Sequence, residues 1–364
     1  MTLDPLKQDL WVGGEGGYHT YRIPALAVTT RGTLLAFCEG RKHHGGDAGE
    51  IDLLLRRSTD GGATWGETQA VVAEAGMTCG NPAPVVDRET GAIWLPFCKN
   101  LADGGEALIR QGKALRTVWL THSADDGRTW ARPVEITAAV KRPSWTWYAT
   151  GPCHGVQLQG GRLLVPCDHR TAATPERGEE LYSHAIYSDD RGKTWHAGGV
   201  VELEGTNESA AVELENGGVY LNCRDQRNRG RRCAAWSDDG GLTFPEVRWE
   251  EGLIEPACQG SLVRVAGSRR GVRRAWRSLV LFCNPASAQR DTLTVRSSED
   301  ECRTWSAGRV LEAGPAAYSD LAVTPSPAGP VVHCLYERGR ARPYERLTLA
   351  TFRPEWIMQE GARR

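Results

Sequence analysis

His43 and His44 stand beside Asp47, and side chains of these types could together hold a metal ion. Two adjacent histidines in a Gly-rich loop lack the helical or strand spacing that would converge them, so solvent exposure is expected. The 11 cysteines form no C-x-x-C pair, which disfavours zinc-ribbon and dithiol chemistry. They are expected to be reduced thiols serving as small apolar core residues. A phosphate-cradling G-x-x-x-x-G-K-[ST] is absent, and no serine lies in a nucleophile elbow. The formal net charge of −1 gives no sign of a nucleic-acid partner.

The elements that must position any reactive side chain are announced by an eight-residue pattern, S-x-D-x-G-x-T-W. It begins at Ser58, Ser123, Ser188, Ser237 and Ser298, with Phe244 replacing Trp in the fourth copy and Cys302 replacing Gly in the fifth. Ser and Asp side chains bond local N–H groups, and Gly supplies a left-handed conformation, so each copy predicts a β-hairpin turn. The aromatic residue can lie over the turn. A turn-forming role is preferred to a ligand-binding one. Between the copies run short apolar stretches such as Thr33 to Cys38 and Arg162 to Cys167. No long segment keeps a 3.6-residue apolar spacing. Repeated β units of this length predict an all-β chain, one six-bladed β-propeller spanning residues 1–364.

The first ten residues are polar and contain no apolar signal core, and no run of eighteen apolar residues occurs. The chain is therefore expected to be cytoplasmic with no membrane span, although a secreted mature form would read the same way.

Tyr21-Arg22-Ile23-Pro24 followed by the five turn motifs resembles the sialidases. The likeness runs from about Gly17 to Arg338 and continues in Asn207-Glu208-Ser209, Leu221-Asn222-Cys223-Arg224, Asn284-Pro285 leading to Arg290, Ala317-Tyr318-Ser319-Asp320 and Leu335-Tyr336-Glu337. The resemblance also implies a six-bladed propeller, with its site on the pseudo-axis and no metal or organic cofactor. It further implies that Arg22, Arg224 and Arg290 clamp a sugar carboxylate. A guanidinium is planar, permanently charged and able to pair bidentately with a carboxylate. One such attraction is worth about 4 kcal/mol at about 4 Å and an effective dielectric near 20, before desolvation. Glu337 matches the glutamate that buttresses the first arginine.

The same resemblance makes Tyr318 the nucleophile and Glu208 its base. The reacting carbon carries a carboxylate, and a neutral phenol approaches it without the repulsion an Asp or Glu would meet. A phenol with an ordinary pKa near 10 needs a base to take its proton. Asp47 best fits the loop acid/base, with Asp52 as competitor at the start of a strand-like run. Arg41 matches an arginine that contacts a ring hydroxyl. Glu39 either holds Arg41 or ends its strand in solvent. For Trp145 and Trp147, a place in the site wall and a place in inter-blade packing stay equally open.

These residues together imply a retaining exo-α-sialidase acting on sialylated oligosaccharides, glycoproteins or glycolipids. The alternatives are a glycosidase for a deaminated or shortened ulosonic acid, and a non-catalytic glycan-binding propeller.

Overall fold

The structure is a computed structural model that describes residues 4–174, 178–265 and 279–358. Among the described residues the strands pair antiparallel almost throughout, and three helices of four or five residues interrupt them. Among the described residues the pairing forms four connected sheets, which divide into six blades. The first blade is Thr20–Val28, Leu34–Arg41, Ile51–Ser58 and Gln69–Val72. The second runs from Val85–Val86 through Ile93–Leu101 and Thr117–Ser123 to Val134–Glu135, with Met77–Gly80 also paired to its second strand. In the third, Trp145–Thr150 and Val156–Gln157 share the innermost position beside Leu163–Thr171, followed by Leu181–Ser188 and His196–Val200. The fourth is Thr206–Glu213, Val219–Asp225, Arg231–Ser237 and Glu246–Ile254.

The fifth and sixth blades share one long strand. Arg309–Thr324 closes the sheet of Ser261–Val265, Leu279–Pro285 and Asp291–Ser298 with its first part. From Ala316 onward it opens the sixth blade against Val331–Arg338, which pairs in turn with Arg346–Phe352. The outermost strand of this last sheet is the N-terminal Leu6–Val12, so the two ends of the chain close the ring.

Packing explains why the strands read as continuous apolar runs rather than alternating ones. Each sheet is buried on both faces, and side chains alternate between them. Leu34, Ala36 and Cys38 pack toward the sixth blade, while Leu35 and Phe37 pack toward the second. Among the described residues, six of the apolar clusters lie one at each interface between neighbouring blades, and together they form a closed ring. All eleven cysteines are buried and unpaired, most of them within these clusters.

The five repeated motifs join the third strand of a blade to its fourth. In the first, Ser58 Oγ donates to Asp60 Oδ1 at 2.8 Å and accepts from the Gly62 N–H at 2.8 Å, and Asp60 Oδ1 accepts from the Thr64 N–H at 2.9 Å. Gly62 takes φ +90°, and Cys302 takes φ +62° at the same place in the fifth copy despite its Cβ. Trp65 and Trp195 bond back to their own turns through Nε1, at 3.2 Å to Gly62 O and 2.9 Å to Gly192 O, and each of the five aromatics packs on the cluster shared with the preceding blade, from Trp65 between blades six and one to Trp305 between four and five. The sixth blade has no such turn, because its fourth strand comes from the N-terminus. Trp356, in the short helix Pro354–Met358 that follows its third strand, fills the matching place in the cluster between blades five and six.

Candidate active site

The start of a first strand, the end of a second and the start of a third lie at one end of an antiparallel sheet. Arg22, Glu208 and Tyr318 begin first strands, Arg41, Arg224 and Glu337 end second strands, and Asp47 and Arg290 lie between second and third strands. Those residues therefore share one face of the ring, and the repeated turns occupy the other.

A local device turns several of them inward. In the fourth blade the register steps from Thr206↔Asp225 to Ser209↔Cys223, so Asn207 and Glu208 together oppose Arg224. In the sixth it steps from Ala316↔Arg338 to Ser319↔Tyr336, so Ala317 and Tyr318 together oppose Glu337. The third blade repeats this, with Thr146 and Trp147 opposing Arg170. Such bulges break the alternation of side chains and re-aim them, commonly beside active sites. The first blade is also irregular after Arg22, where Ile23 holds φ +58°, a costly conformation for a β-branched residue.

The result is a cavity of about 170 Å³ lined by Arg22, Arg41, Asp47, Glu208, Arg224, Arg290 and Tyr318. The Tyr318 hydroxyl donates to Glu208 Oε1 and Oε2 at 2.6 and 2.8 Å. Arg224 Nη1 reaches both the Tyr318 hydroxyl, at 2.9 Å, and Glu208 Oε2, at 2.6 Å. The guanidinium carbons of Arg22 and Arg290 lie 5.0 and 5.4 Å from the centre of the Tyr318 ring. All three arginines thus meet at one phenol. Burial, and then the Glu208 carboxylate, push the phenol's pKa well above its ordinary value against the pull of the arginines, so the resting group is neutral.

Glu337 does not line the cavity. It is fully buried, where it accepts from Arg22 Nε at 3.0 Å, Arg22 Nη2 at 3.3 Å, Ile23 N–H at 3.0 Å and Tyr318 N–H at 3.1 Å. One carboxylate thus fixes the first arginine and the backbone of the tyrosine. Arg290 is held by the Tyr344 hydroxyl at 2.7 Å and the Ala257 carbonyl at 2.9 Å.

Asp47 approaches from the loop of residues 42–50. Its Oδ1 lies 2.8 Å from Arg41 Nη1 and 3.3 Å from Arg22 Nη1, and its side chain is 59 % exposed. Burial in the mouth raises the Asp47 pKa, but Arg41 and then Arg22 outweigh it and hold the carboxyl below its ordinary value. Asp52 is buried away from the cavity, accepting from the Tyr18 hydroxyl at 2.8 Å and pairing with Lys42 Nζ at 3.3 Å. Glu39 is buried and holds Arg41 through Nη2 at 2.7 Å and Nε at 3.1 Å. His43 and His44 are exposed, and no metal-holding group of His, Cys, Asp or Glu occurs among the described residues.

The two tryptophans part company. Trp147 lines the cavity, where its bulge aims it, while Trp145 stacks on His169 at 3.6 Å inside the third blade. Sequence reasoning missed Arg116, which also lines the cavity and bonds Asn81 and Asn100 at 2.5 Å each. A signal existed: Arg116 precedes Ser123 by seven residues, much as Arg290 precedes Ser298 by eight. Arg170, Asn81 and Tyr344 were missed as well, and only their placement reveals them.

Residues 32–334 match the model of the BNR repeat-like domain family. A sialidase of Micromonospora viridifaciens is 35 % identical over 94 % of this chain, which spans 54 % of that relative's length. An exo-alpha-sialidase of Aspergillus fumigatus is 32 % identical, with 81 % of this chain and 72 % of the relative covered. A solved Hadza microbial sialidase superposes with a TM-score of 0.84 at 28 % identity, covering 97 % of this chain and 69 % of that one. The β-propeller and its bulged inner strands, with three arginines gathered at one phenol, are thus accompanied by likeness over almost the whole sequence, and this chain belongs to the sialidase family.

Proposed function

We propose that this chain is a retaining exo-α-sialidase that hydrolyses terminal sialic acid from glycoconjugates. The observation that carries this reading is the Tyr318 hydroxyl resting on Glu208 at 2.6 and 2.8 Å while three guanidinium groups surround it. The sugar carboxylate pairs with Arg22, Arg224 and Arg290, which brings its anomeric carbon to the phenol. Asp47 gives its proton to the leaving glycosidic oxygen as that bond breaks. The Tyr318 oxygen bonds to the oxocarbenium-like carbon and passes its proton to Glu208. Water then gives a proton to Asp47 and attacks from the vacated face, and the tyrosine oxygen leaves and recovers its proton from Glu208. Two inversions give net retention.

The charge arrangement supports each role. The neutral phenol avoids repulsion with the substrate carboxylate, and Arg224 touches both the phenol oxygen and the base, so it can stabilise negative charge developing on either. Glu337 is buried too deeply to touch substrate and acts as a positioning residue.

A fluorogenic sialoside assay, with and without a 2,3-dehydro sialic acid analogue, tests the activity. Proton NMR of the first-formed product tests the stereochemistry: the α anomer is expected, and an initial β product would exclude the two-step scheme. Aryl glycosides differing at C5 separate sialic acid from a deaminated ulosonic acid, which the same arginine clamp would hold.

A further inference from the structure

The acid assigned to the leaving oxygen stands on the arginine assigned to the substrate. Arg22 commits Nε and Nη2 to Glu337. Its remaining terminal nitrogen, Nη1, lies 3.3 Å from Asp47 Oδ1. An incoming carboxylate therefore meets a donor that another carboxylate already holds.

The loop is built so that Asp47 can yield. Its ends are tied down: Lys42 N–H donates to Glu50 O at 3.1 Å, and Thr78 Oγ1 donates to Gly49 O at 2.7 Å. Arg41 Nη1 donates to Gly45 O at 2.7 Å. Asp47 itself pairs with the two arginines and is otherwise largely open to solvent.

We infer that a bound sugar carboxylate displaces Asp47 from Arg22 and draws one solvent proton onto the Asp47 carboxyl, so that recognition of the substrate's charge arms the general acid. This rests on the sialidase reading above. The balance is simple: two carboxylates and one hydronium become a bound carboxylate, a carboxylic acid and a water. Like charges that share a site favour protonating one of them, and the sugar's acid is the stronger of the two.

The groups facing Asp47 come from several elements. Arg22 and Arg41 reach it from the first blade and Arg116 from the second. Glu337 and Glu39 already balance the first two arginines, and Glu106 lines the same cavity. His44, on the same loop, accepts from the Gly46 N–H at 3.1 Å. In the empty site Asp47 is held below its ordinary pKa, which leaves a general acid without its proton near neutrality. Binding of the substrate carboxylate removes part of that hold.

The test is calorimetry of the wild-type chain with the 2,3-dehydro sialic acid analogue, at several pH values in buffers of different ionisation enthalpy. Uptake of between about half and one proton per analogue is expected near pH 5, with affinity falling up to about tenfold per pH unit above it. Asp47→Asn should abolish the uptake and flatten the pH dependence, while His44→Gln should keep both. Binding without proton uptake in the wild type, or uptake that persists in Asp47→Asn, would overturn the coupling. Failure of the analogue to bind the wild type at any pH would instead overturn the sialidase reading, and the coupling with it.

Discussion

Tyr318→Phe removes one oxygen from the centre of the site and little else. That oxygen contacts Glu208 at 2.6 and 2.8 Å and Arg224 at 2.9 Å. Without it, Arg224 and Glu208 still pair directly at 2.6 Å, so neither charge is left alone. The ring keeps its place between Arg22 and Arg290. A hydrogen bond to a charged group is worth about 1.5–3 kcal/mol, so the melting temperature should fall by only a few degrees. Turnover should behave differently. Removing one member of a nucleophile–base unit costs roughly 10⁴ to 10⁶ in kcat, or about 5–8 kcal/mol of barrier. The assay pairs single-turnover hydrolysis of an aryl sialoside with the affinity of the 2,3-dehydro analogue, which should change by less than about threefold because the guanidinium groups remain. A kcat loss below about tenfold would refute Tyr318 as the nucleophile. A parallel collapse of analogue binding would show that the hydroxyl organises the arginines rather than attacking.

Two further predictions concern stability. Trp356 is 2 % exposed and caps the cluster between blades five and six, so Trp356→Ala should cost about 3–5 kcal/mol in urea unfolding, and a loss below about 1 kcal/mol would deny it that capping role. His169 and His184 share a buried contact between their Nδ1 atoms at 3.1 Å, in which one must donate and the other accept. Burial lowers the pKa of His169 to about 3 and that of His184 well below its ordinary value. The unfolded chain takes up protons below about pH 6.5 that the folded chain refuses, so stability is full above that pH and falls beneath it, by up to about 1.4 kcal/mol per pH unit per histidine. Urea midpoints for the wild type and His169→Gln between pH 6.5 and 5 should converge as the pH drops, and parallel curves would refute the assignment.

The amino-acid sequence by itself determined the number of turns, their chemistry and the β character of everything between them. Ser58, Asp60, Gly62 and Thr64 satisfy one another within a few residues, and short-range hydrogen bonds need no distant partner. It also carried the identities of the residues that the family likeness singles out. The candidate site itself was decided by the ring. Arg22 and Glu337 are 315 positions apart, and they meet because Leu6–Val12 closes the sixth blade. Trp147 and Trp145, indistinguishable by type, were separated by a bulge that turns one to the axis and leaves the other in the core. Arg116 joined the site, and Asp47 settled on Arg22, through contacts between separate elements. The physical reason is that turn motifs are stabilised by neighbours in the chain, whereas a charge cluster at an axis exists only when six blades pack in a circle and bring unlike charges close enough to offset their burial.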